Sequence, residues 1–174
     1  GASSAAFLLE LARALKDRRN AFTIELLFLD GEEAVGEWEG TDHTYGSRHY
    51  VEVAKQDGSL ASLRAMLLVD MIGDRDLVMR RDLNSTSWLT DIVWRTARSL
   101  KLGEHFSNEP TEIEDDHQPF TAAGVPALDI IDLDYPEWHT PFDTLDAVSA
   151  HSLQVVGDVL LASLPQIEMR LARR

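Results

Sequence analysis

Two adjacent carboxylates, Glu32 and Glu33, follow an apolar run at residues 27–29 after Asp30 and Gly31 and are well suited to chemistry. A near-continuous apolar run is typical of a buried strand, so the two acids are expected on the loop at its end. One carboxylate on such a loop can bind a metal ion while the other moves a proton. Neither role suits a core position, because ionised carboxylates are almost never fully buried without a partner.

A second candidate metal ligand, His139, lies far downstream in the run Trp-His-Thr-Pro at residues 138–141. Zinc binds imidazole nitrogen and carboxylate oxygen, and a catalytic zinc keeps one coordination position open. Glu33 and His139 are therefore candidate zinc ligands. With Glu33 on the metal, the adjacent Glu32 becomes a candidate general acid/base.

Two further carboxylates are candidate partners of Glu32. Asp70 ends an apolar run that predicts a strand, and Asp115 lies in a polar loop. In open α/β sheets, ligands bind beyond the carboxyl ends of the strands, so these distant segments can meet at one edge. The two acids could hold Glu32, or share a proton with it, if one carboxyl group has a raised pKa.

Each of these residues also has an ordinary structural explanation. A Glu–Glu pair most often lies on a solvated turn, and Asp70 can cap a helix or a turn. The loop around Asp115 is typical of an exposed surface, as is a single histidine such as His139. Trp38 and Trp138 by default pack in a core or under a lid. Spacing alone does not decide between these interpretations.

Composition excludes several classes of function. The 174 residues are 44% hydrophobic and 26% charged, as expected of one globular domain spanning residues 1–174. The formal net charge of −14 disfavours a nucleic-acid partner, since phosphates would be repelled. Cysteine is absent, which removes disulfides, thiolate ligands and cysteine nucleophiles. No apolar run in the sequence approaches the ~18 residues of a membrane span.

Helical and strand patterns alternate along the chain and predict an α/β domain with a mostly parallel sheet. The chain opens on a helix with no strand before it, which indicates the C-terminal part of something longer. Residues 101–120 and 132–144 are expected to form loops, and Pro165 is expected to kink or interrupt the last helix. The predicted helices are 5–15, 45–55, 87–100 and 149–171, and the predicted strands are 23–29, 65–71, 77–79 and 125–131.

The motifs together resemble the glutaminyl cyclase (glutaminyl-peptide cyclotransferase) branch of the M28 zinc-peptidase family. The resemblance covers nearly the whole chain and implies a three-layer α/β/α sandwich with a mixed, mostly parallel central sheet, as in zinc exopeptidases. The matching motifs are Asp-Gly-Glu-Glu-Ala at 30–34, Trp38, Tyr-Gly-Ser-Arg-His at 45–49, Asp-Asp-His-Gln-Pro-Phe at 115–120, Gly-Val-Pro at 124–126 and Pro-Glu-Trp-His-Thr at 136–140.

The resemblance also implies a reaction and roles for individual residues. An N-terminal glutamine of a peptide would cyclise to pyroglutamate and release ammonia at one zinc ion. Glu33 and His139 would be two of its three protein ligands, and Glu32 would be the general acid/base. The remaining implied residues are Asp70 and Asp115 in the acidic hydrogen-bond network and Trp38, Tyr135 and Trp138 around the substrate's side chain.

The chain departs from the family pattern at several positions. The third zinc ligand of the family is an Asp at the position before Gly1, so a preceding segment or a companion chain is expected to supply it. Glu114 stands where animal members tend to have Gln, and Asp129 where they tend to have His. These differences bear on substrate preference more than on the reaction. The family resemblance also favours an exported protein.

Two other functions remain open at the level of sequence. The first is an M28 aminopeptidase with two zinc ions, in which Asp70 binds the second metal and Glu32 activates a bridging water. The second is a non-catalytic M28-like binding domain, which predicts neither bound metal nor ammonia release.

Overall fold

The structure, a computed structural model, describes residues 1–173. None of its helices within these residues has the length and apolar character needed to cross a bilayer. The helices are α1 (Ala2–Leu15), α2 (Tyr45–Asp57), α3 (Ser87–Ser99), α4 (His117–Ala122) and α5 (Ala150–Leu171), and the strands are β1 (Met66–Asp70), β2 (Met79–Asp82), β3 (Phe106–Thr111) and β4 (Ala127–Ile131).

The described strands form two parallel pairs. β1 pairs with β4, from Met66 opposite Ala127 to Asp70 opposite Ile131. β2 pairs with β3, with one irregularity in the register. The carboxyl ends of β1 and β4 therefore lie side by side, and Asp70 is the last residue of β1.

Successive residues of the β1–β4 pair point to opposite faces, as the two-residue period of a strand requires. On one face, Val69 and Leu128 join the main apolar core with residues of α1, α3 and α5. On the other face, Met66 and Ala127 pack with α2 and α4 around Phe120. Helices thus cover both faces of the strands, which confirms the predicted α/β class and its three layers.

The predicted strand at residues 23–29 is wrong, because these residues form no strand in the structure. The apolar run was identified correctly, but a strand also needs a hydrogen-bonding partner at its edge. Residues 22–29 instead line a cavity together with β1. β1 pairs with β4 and, among the described residues, with no other strand.

The other differences between the predicted and observed elements concern strands and helices that are polar or short. The predicted loop at 101–120 contains β3 and α4, which sequence patterns miss because β3 has one buried residue and α4 only six residues. The strand predicted at 77–79 begins at Met79 and extends through two arginines. α5 continues through Pro165 without interruption. Leu160 and Ile167 on either side of the proline are buried in the core, which offsets the lost hydrogen bond.

A partly buried ion pair ties the loop after α1 to α5. The Arg18 guanidinium contacts both carboxylate oxygens of Glu168, at 3.1 and 2.8 Å, and the Ala21 N–H donates to the same carboxylate at 2.9 Å. These donors hold the pKa of Glu168 below its usual range. The contacts with Glu168 fix the position of Ala21, which directly precedes residues 22–29.

We predict that Glu168→Gln destabilises the protein by about 1–3 kcal/mol, because it leaves the Arg18 charge partly buried and unpaired. The free energy of unfolding in urea measures the effect. Glu10→Gln is the matched control, since Glu10 pairs with Arg13 on the exposed surface of α1. Its change should stay within about 0.5 kcal/mol. Equal effects for the two variants would contradict the prediction.

Candidate active site

All eight side chains singled out in the sequence line one cavity of about 1410 Å³. They come from segments that lie far apart along the chain, and the ends of β1 and its neighbouring loops bring them together. The eight are Glu32, Glu33, Trp38, Asp70, Asp115, Tyr135, Trp138 and His139. Beyond them the cavity extends along the apolar residues 22–29.

The loop that carries Glu32 is held by the start of α2. The N–H groups of residues 44–46 donate to the carbonyl oxygens of residues 30–32 over 2.8–3.1 Å. A Cβ atom at Gly46 would lie 2.4 Å from the carbonyl oxygen of Asp30. The glycine of the Tyr-Gly-Ser motif is therefore required for this close approach.

Asp42 organises the next loop, which carries Trp38. It accepts hydrogen bonds from three successive backbone N–H groups at residues 35–37 and from the Tyr45 hydroxyl. The Tyr45 hydroxyl and these N–H groups lower the pKa of Asp42 to about 2. Sequence reasoning missed this residue, although an acid shortly before a helix start is a known loop-organising signal.

Trp38 lines the cavity and contacts two other side chains. Its indole nitrogen donates to Glu114 at 3.2 Å, and its ring stacks on His43 at 4.6 Å between centroids. On the other side, Trp138 stacks on His139 at 4.4 Å, and the Tyr135 hydroxyl donates to Asp143 at 3.0 Å. Both indoles are around 40% exposed, at 37% and 42%, so neither is a core residue.

The acidic side chains form a connected group at the end of β1. Asp70 accepts a hydrogen bond from the Ser4 hydroxyl at 3.1 Å and lies 3.7 Å from the amino nitrogen of Gly1. Asp115 accepts from the Asp116 N–H at 2.5 Å. Asp116, which sequence reasoning did not select, accepts from the buried Ser47 hydroxyl at 2.5 Å.

Burial and the neighbouring negative charges favour the protonated forms of these carboxyl groups. Burial, together with the charges of Glu33, Asp70 and Asp116, raises the pKa of Glu32 to about 7. Burial first, and then Asp70, raises the pKa of Asp115 well above its usual range. The pKa of Asp116 is also raised, mainly by burial. These carboxyls are therefore not all ionised at neutral pH.

Glu33 and His139 approach each other at the open side of the cavity. Their Oε1 and Nε2 atoms are 3.4 Å apart, and the side chains are 68% and 60% exposed. A carboxylate and an imidazole fit zinc by donor type. Within residues 1–173, however, no group of three His, Cys, Asp or Glu side chains is arranged to hold a metal ion. The described residues thus offer two donors of the three that a catalytic zinc usually has.

Three residues beside the cavity have backbone conformations that side chains rarely adopt. Thr44, Met71 and His139 have φ values of 51°, 49° and 55°. Thr44 follows the Trp38 loop, Met71 follows Asp70 directly, and His139 is a candidate ligand. Such conformations cost about 1–3 kcal/mol each and cluster at functional sites.

The fold and the cavity agree with comparisons to known proteins. Residues 1–164 match Peptidase family M28. The chain belongs to this family. The mouse glutaminyl-peptide cyclotransferase-like protein is 33% identical over 90% of the chain. This chain spans 49% of the length of that relative.

Solved structures of other proteins share the fold of this chain. A crystal structure of a glutaminyl cyclase from an Acidobacteriales bacterium is 43% identical, with a TM-score of 0.90, over 95% of this chain and 60% of its own. A leucine aminopeptidase precursor from Bacteroides thetaiotaomicron is 27% identical, with a TM-score of 0.83, over 94% of this chain and 60% of its own. The family assignment and the zinc-exopeptidase-like fold are confirmed.

We predict that Gly46→Ala destabilises the protein by about 1–3 kcal/mol, because the added methyl group displaces the Asp30 backbone. The displacement also moves the loop that carries Glu32. Gly157→Ala is the matched control, since its Cβ would lie 3.5 Å from Phe7, at ordinary contact distance. Inside α5 it should raise stability by up to about 1 kcal/mol. Urea unfolding of both variants measures the difference in the free energy of unfolding. An unchanged free energy of unfolding in Gly46→Ala would contradict the prediction.

We predict that the stability of the metal-free protein falls as pH rises from about 5 to 8. In this range the folded chain binds more protons than the unfolded chain, because burial raises the pKa of Asp115, Asp116, Asp129 and Asp132. Asp132 alone, with its pKa raised from 3.8 to about 6, lowers the free energy of unfolding at pH 8 by about 3 kcal/mol relative to low pH, and roughly half of this loss falls between pH 5 and 8.

Thermal unfolding in EDTA across this pH range measures the trend. Asp132→Asn should flatten the slope, because it removes one of the proton-binding groups. A melting temperature that is constant or rises with pH would contradict the prediction.

Proposed function

We propose that this chain forms the catalytic part of a zinc-dependent glutaminyl cyclase, which converts N-terminal glutamine of peptides to pyroglutamate and releases ammonia. The observation that carries the proposal is the convergence of Glu32, its acidic neighbours and three aromatic side chains on one cavity. The similarity to glutaminyl cyclases supports this reaction over others found in the M28 family.

The aromatic side chains bind and orient the substrate. Trp38, Tyr135 and Trp138 line the cavity around the acids and pack against the side chain of the terminal glutamine. Their rings exclude water and hold the chain in a folded conformation with the α-amine close to the γ-carbonyl. Holding both reacting groups in place removes much of the entropic barrier to ring closure.

Glu32 moves the proton that the reaction displaces. The neutral α-amine attacks the γ-carbonyl carbon, which forms the ring C–N bond. Glu32 takes a proton from the attacking nitrogen and gives it to the departing amide nitrogen, which leaves as ammonia. Asp70 and Asp115 hold Glu32 in position and share its proton. Glu32 ends each cycle as it began.

Glu33 and His139 would hold one zinc ion, with an Asp from a segment before Gly1 or from a companion chain as the third ligand. When bound, zinc would polarise the γ-carbonyl and stabilise the negative charge that develops on its oxygen.

A two-zinc aminopeptidase is the second candidate, because the leucine aminopeptidase precursor shares the fold at 27% identity. In that enzyme Asp70 would bind the second metal and Glu32 would activate water for peptide hydrolysis. The hydrogen bond from Ser4 to Asp70 is compatible with either function, because metal-bound carboxylates also accept hydrogen bonds.

We predict that Glu32→Gln in the full-length protein lowers the rate of cyclisation by about 10²-fold or more, the usual scale of lost acid/base catalysis. Zinc content and folding should remain normal. The measurement is ammonia release from a peptide that begins with glutamine. Glu39→Gln is the matched control, because Glu39 lies on the same loop, is exposed and is not among the cavity-lining residues.

Several outcomes would refute the assignment. Near-normal activity of Glu32→Gln would remove the proposed role of this residue. Two tightly bound zinc ions with hydrolysis of leucyl substrates would favour the aminopeptidase. A full-length protein with neither metal nor ammonia release would be a binding domain.

A further inference from the structure

The loop at residues 35–43 carries Trp38 and is closed mainly on itself. Three of its backbone N–H groups donate to Asp42, and the Trp38 ring stacks on His43 of the same loop. The Arg48 side chain donates to the carbonyl oxygen of His43 at 3.1 Å, which ties the end of the loop to α2. The first seven residues of the loop are exposed, so no apolar core holds them. The orientation of the Trp38 ring therefore depends on a few polar and stacking contacts.

A single hydrogen bond joins this loop to the segment before α4. The indole N–H of Trp38 donates to Glu114 Oε2 at 3.2 Å. Within residues 1–173, it is the only hydrogen bond or ion pair between residues 35–43 and residues 111–116. Both Trp38 and Glu114 line the cavity. The bond therefore connects two loops that contribute to the wall of the same cavity.

The backbone that carries Glu114 is firmly anchored. The preceding residue, Ile113, is 6% exposed, and its N–H donates to Asp82 at 3.1 Å. The carbonyl oxygen of Ile113 accepts hydrogen bonds from two side-chain amides, at 3.0 and 3.1 Å. The following residue, Asp115, is also buried. Glu114 is thus an exposed side chain on a backbone that its two buried neighbours hold in place.

The contacts of the Trp38 ring define its orientation. The imidazole of His43 lies nearly parallel to the indole, with 9° between the two planes, and Glu114 accepts the N–H at the edge of the ring. An indole has one N–H donor and no acceptor, so a single acceptor in a fixed place satisfies it. The Trp38 side chain is nevertheless 37% exposed, which leaves part of the ring free to contact a ligand in the cavity.

We propose that Glu114 is a positioning residue for substrate binding, which holds the Trp38 indole in the cavity wall through its N–H. Under the proposed function, Trp38 packs against the side chain of the terminal glutamine. Glu114 orders this ring before the substrate arrives, and a ring that is already ordered costs less conformational entropy on binding. The effect on KM rests on the proposed glutaminyl cyclase activity, whereas the hydrogen bond itself does not.

NMR spectroscopy of the full-length protein observes the Trp38 indole N–H directly. Trp38→Phe keeps an aromatic ring without the N–H and therefore identifies the signal by its loss. Glu114→Ala should shift this signal and raise its hydrogen-exchange rate about three- to tenfold, the scale of one lost hydrogen bond. Glu114→Gln retains an acceptor oxygen and should change neither. Glu112→Ala is the matched control, because Glu112 is exposed on the same segment and has no hydrogen bond or ion pair among the described residues.

Steady-state kinetics with a peptide that begins with glutamine measure the consequence for binding. Glu114→Ala should raise KM about three- to tenfold with little change in kcat, because Glu114 acts on binding and not on proton transfer. Glu114→Gln should retain both values. Added to Trp38→Phe, Glu114→Ala should raise KM no further, because the N–H that Glu114 accepts is already absent. A residue that contributes only to the stability of the fold would not show this dependence on Trp38.

Three results would overturn the proposal. An unchanged Trp38 signal in Glu114→Ala would show that the hydrogen bond does not hold the ring. A KM in Glu114→Gln as high as in Glu114→Ala would show that the negative charge acts on the substrate. An equal rise in KM when Glu114→Ala is added to Trp38→Phe would show that Glu114 contacts the substrate directly. The expected NMR changes in a protein that releases no ammonia would support the hold of Glu114 on the ring and refute the proposed function.

Discussion

The site of this protein depends on the burial of more carboxyl groups at one sheet edge than can be ionised together. The carboxyl ends of β1 and β4 and the loops beside them place Glu32, Asp70, Asp115 and Asp116 within reach of one another. In a low-dielectric environment, neighbouring like charges are strongly disfavoured. The group must therefore retain protons or gain cationic partners at neutral pH.

The arrangement also strains the backbone beside the acidic side chains. The loops on either side of the acids contain residues with positive φ at Thr44, Met71 and His139. Three hydrogen bonds from the start of α2 and the carboxylate of Asp42 hold the first of these loops, at residues 30–44, in place. The rigid core of β1, β4 and the surrounding helices supports the strained segments, which on their own would relax.

Sequence patterns predicted much of the fold because its helices and its buried β1 and β4 have clear apolar periods. The patterns failed for elements whose stability depends on pairing or packing with other segments of the chain. Residues 23–29 have the composition of a buried strand but lack a paired edge, and β3 and α4 pair or pack with few apolar residues. The eight candidate site residues were selected through motif order, and their convergence on one cavity could not be read from spacing. The hydrogen bond between Trp38 and Glu114 was missed, because a contact between two polar loops leaves no periodic signal.

Two of the four tryptophans, Trp38 and Trp138, line the cavity and stack on histidine rings. A protonated imidazole quenches the emission of an indole on which it lies, and a neutral one does so much less. The emission of these two residues therefore depends on the rings of His43 and His139 that lie against them. Trp38 and Trp138 are thus intrinsic optical probes among the residues that line the cavity.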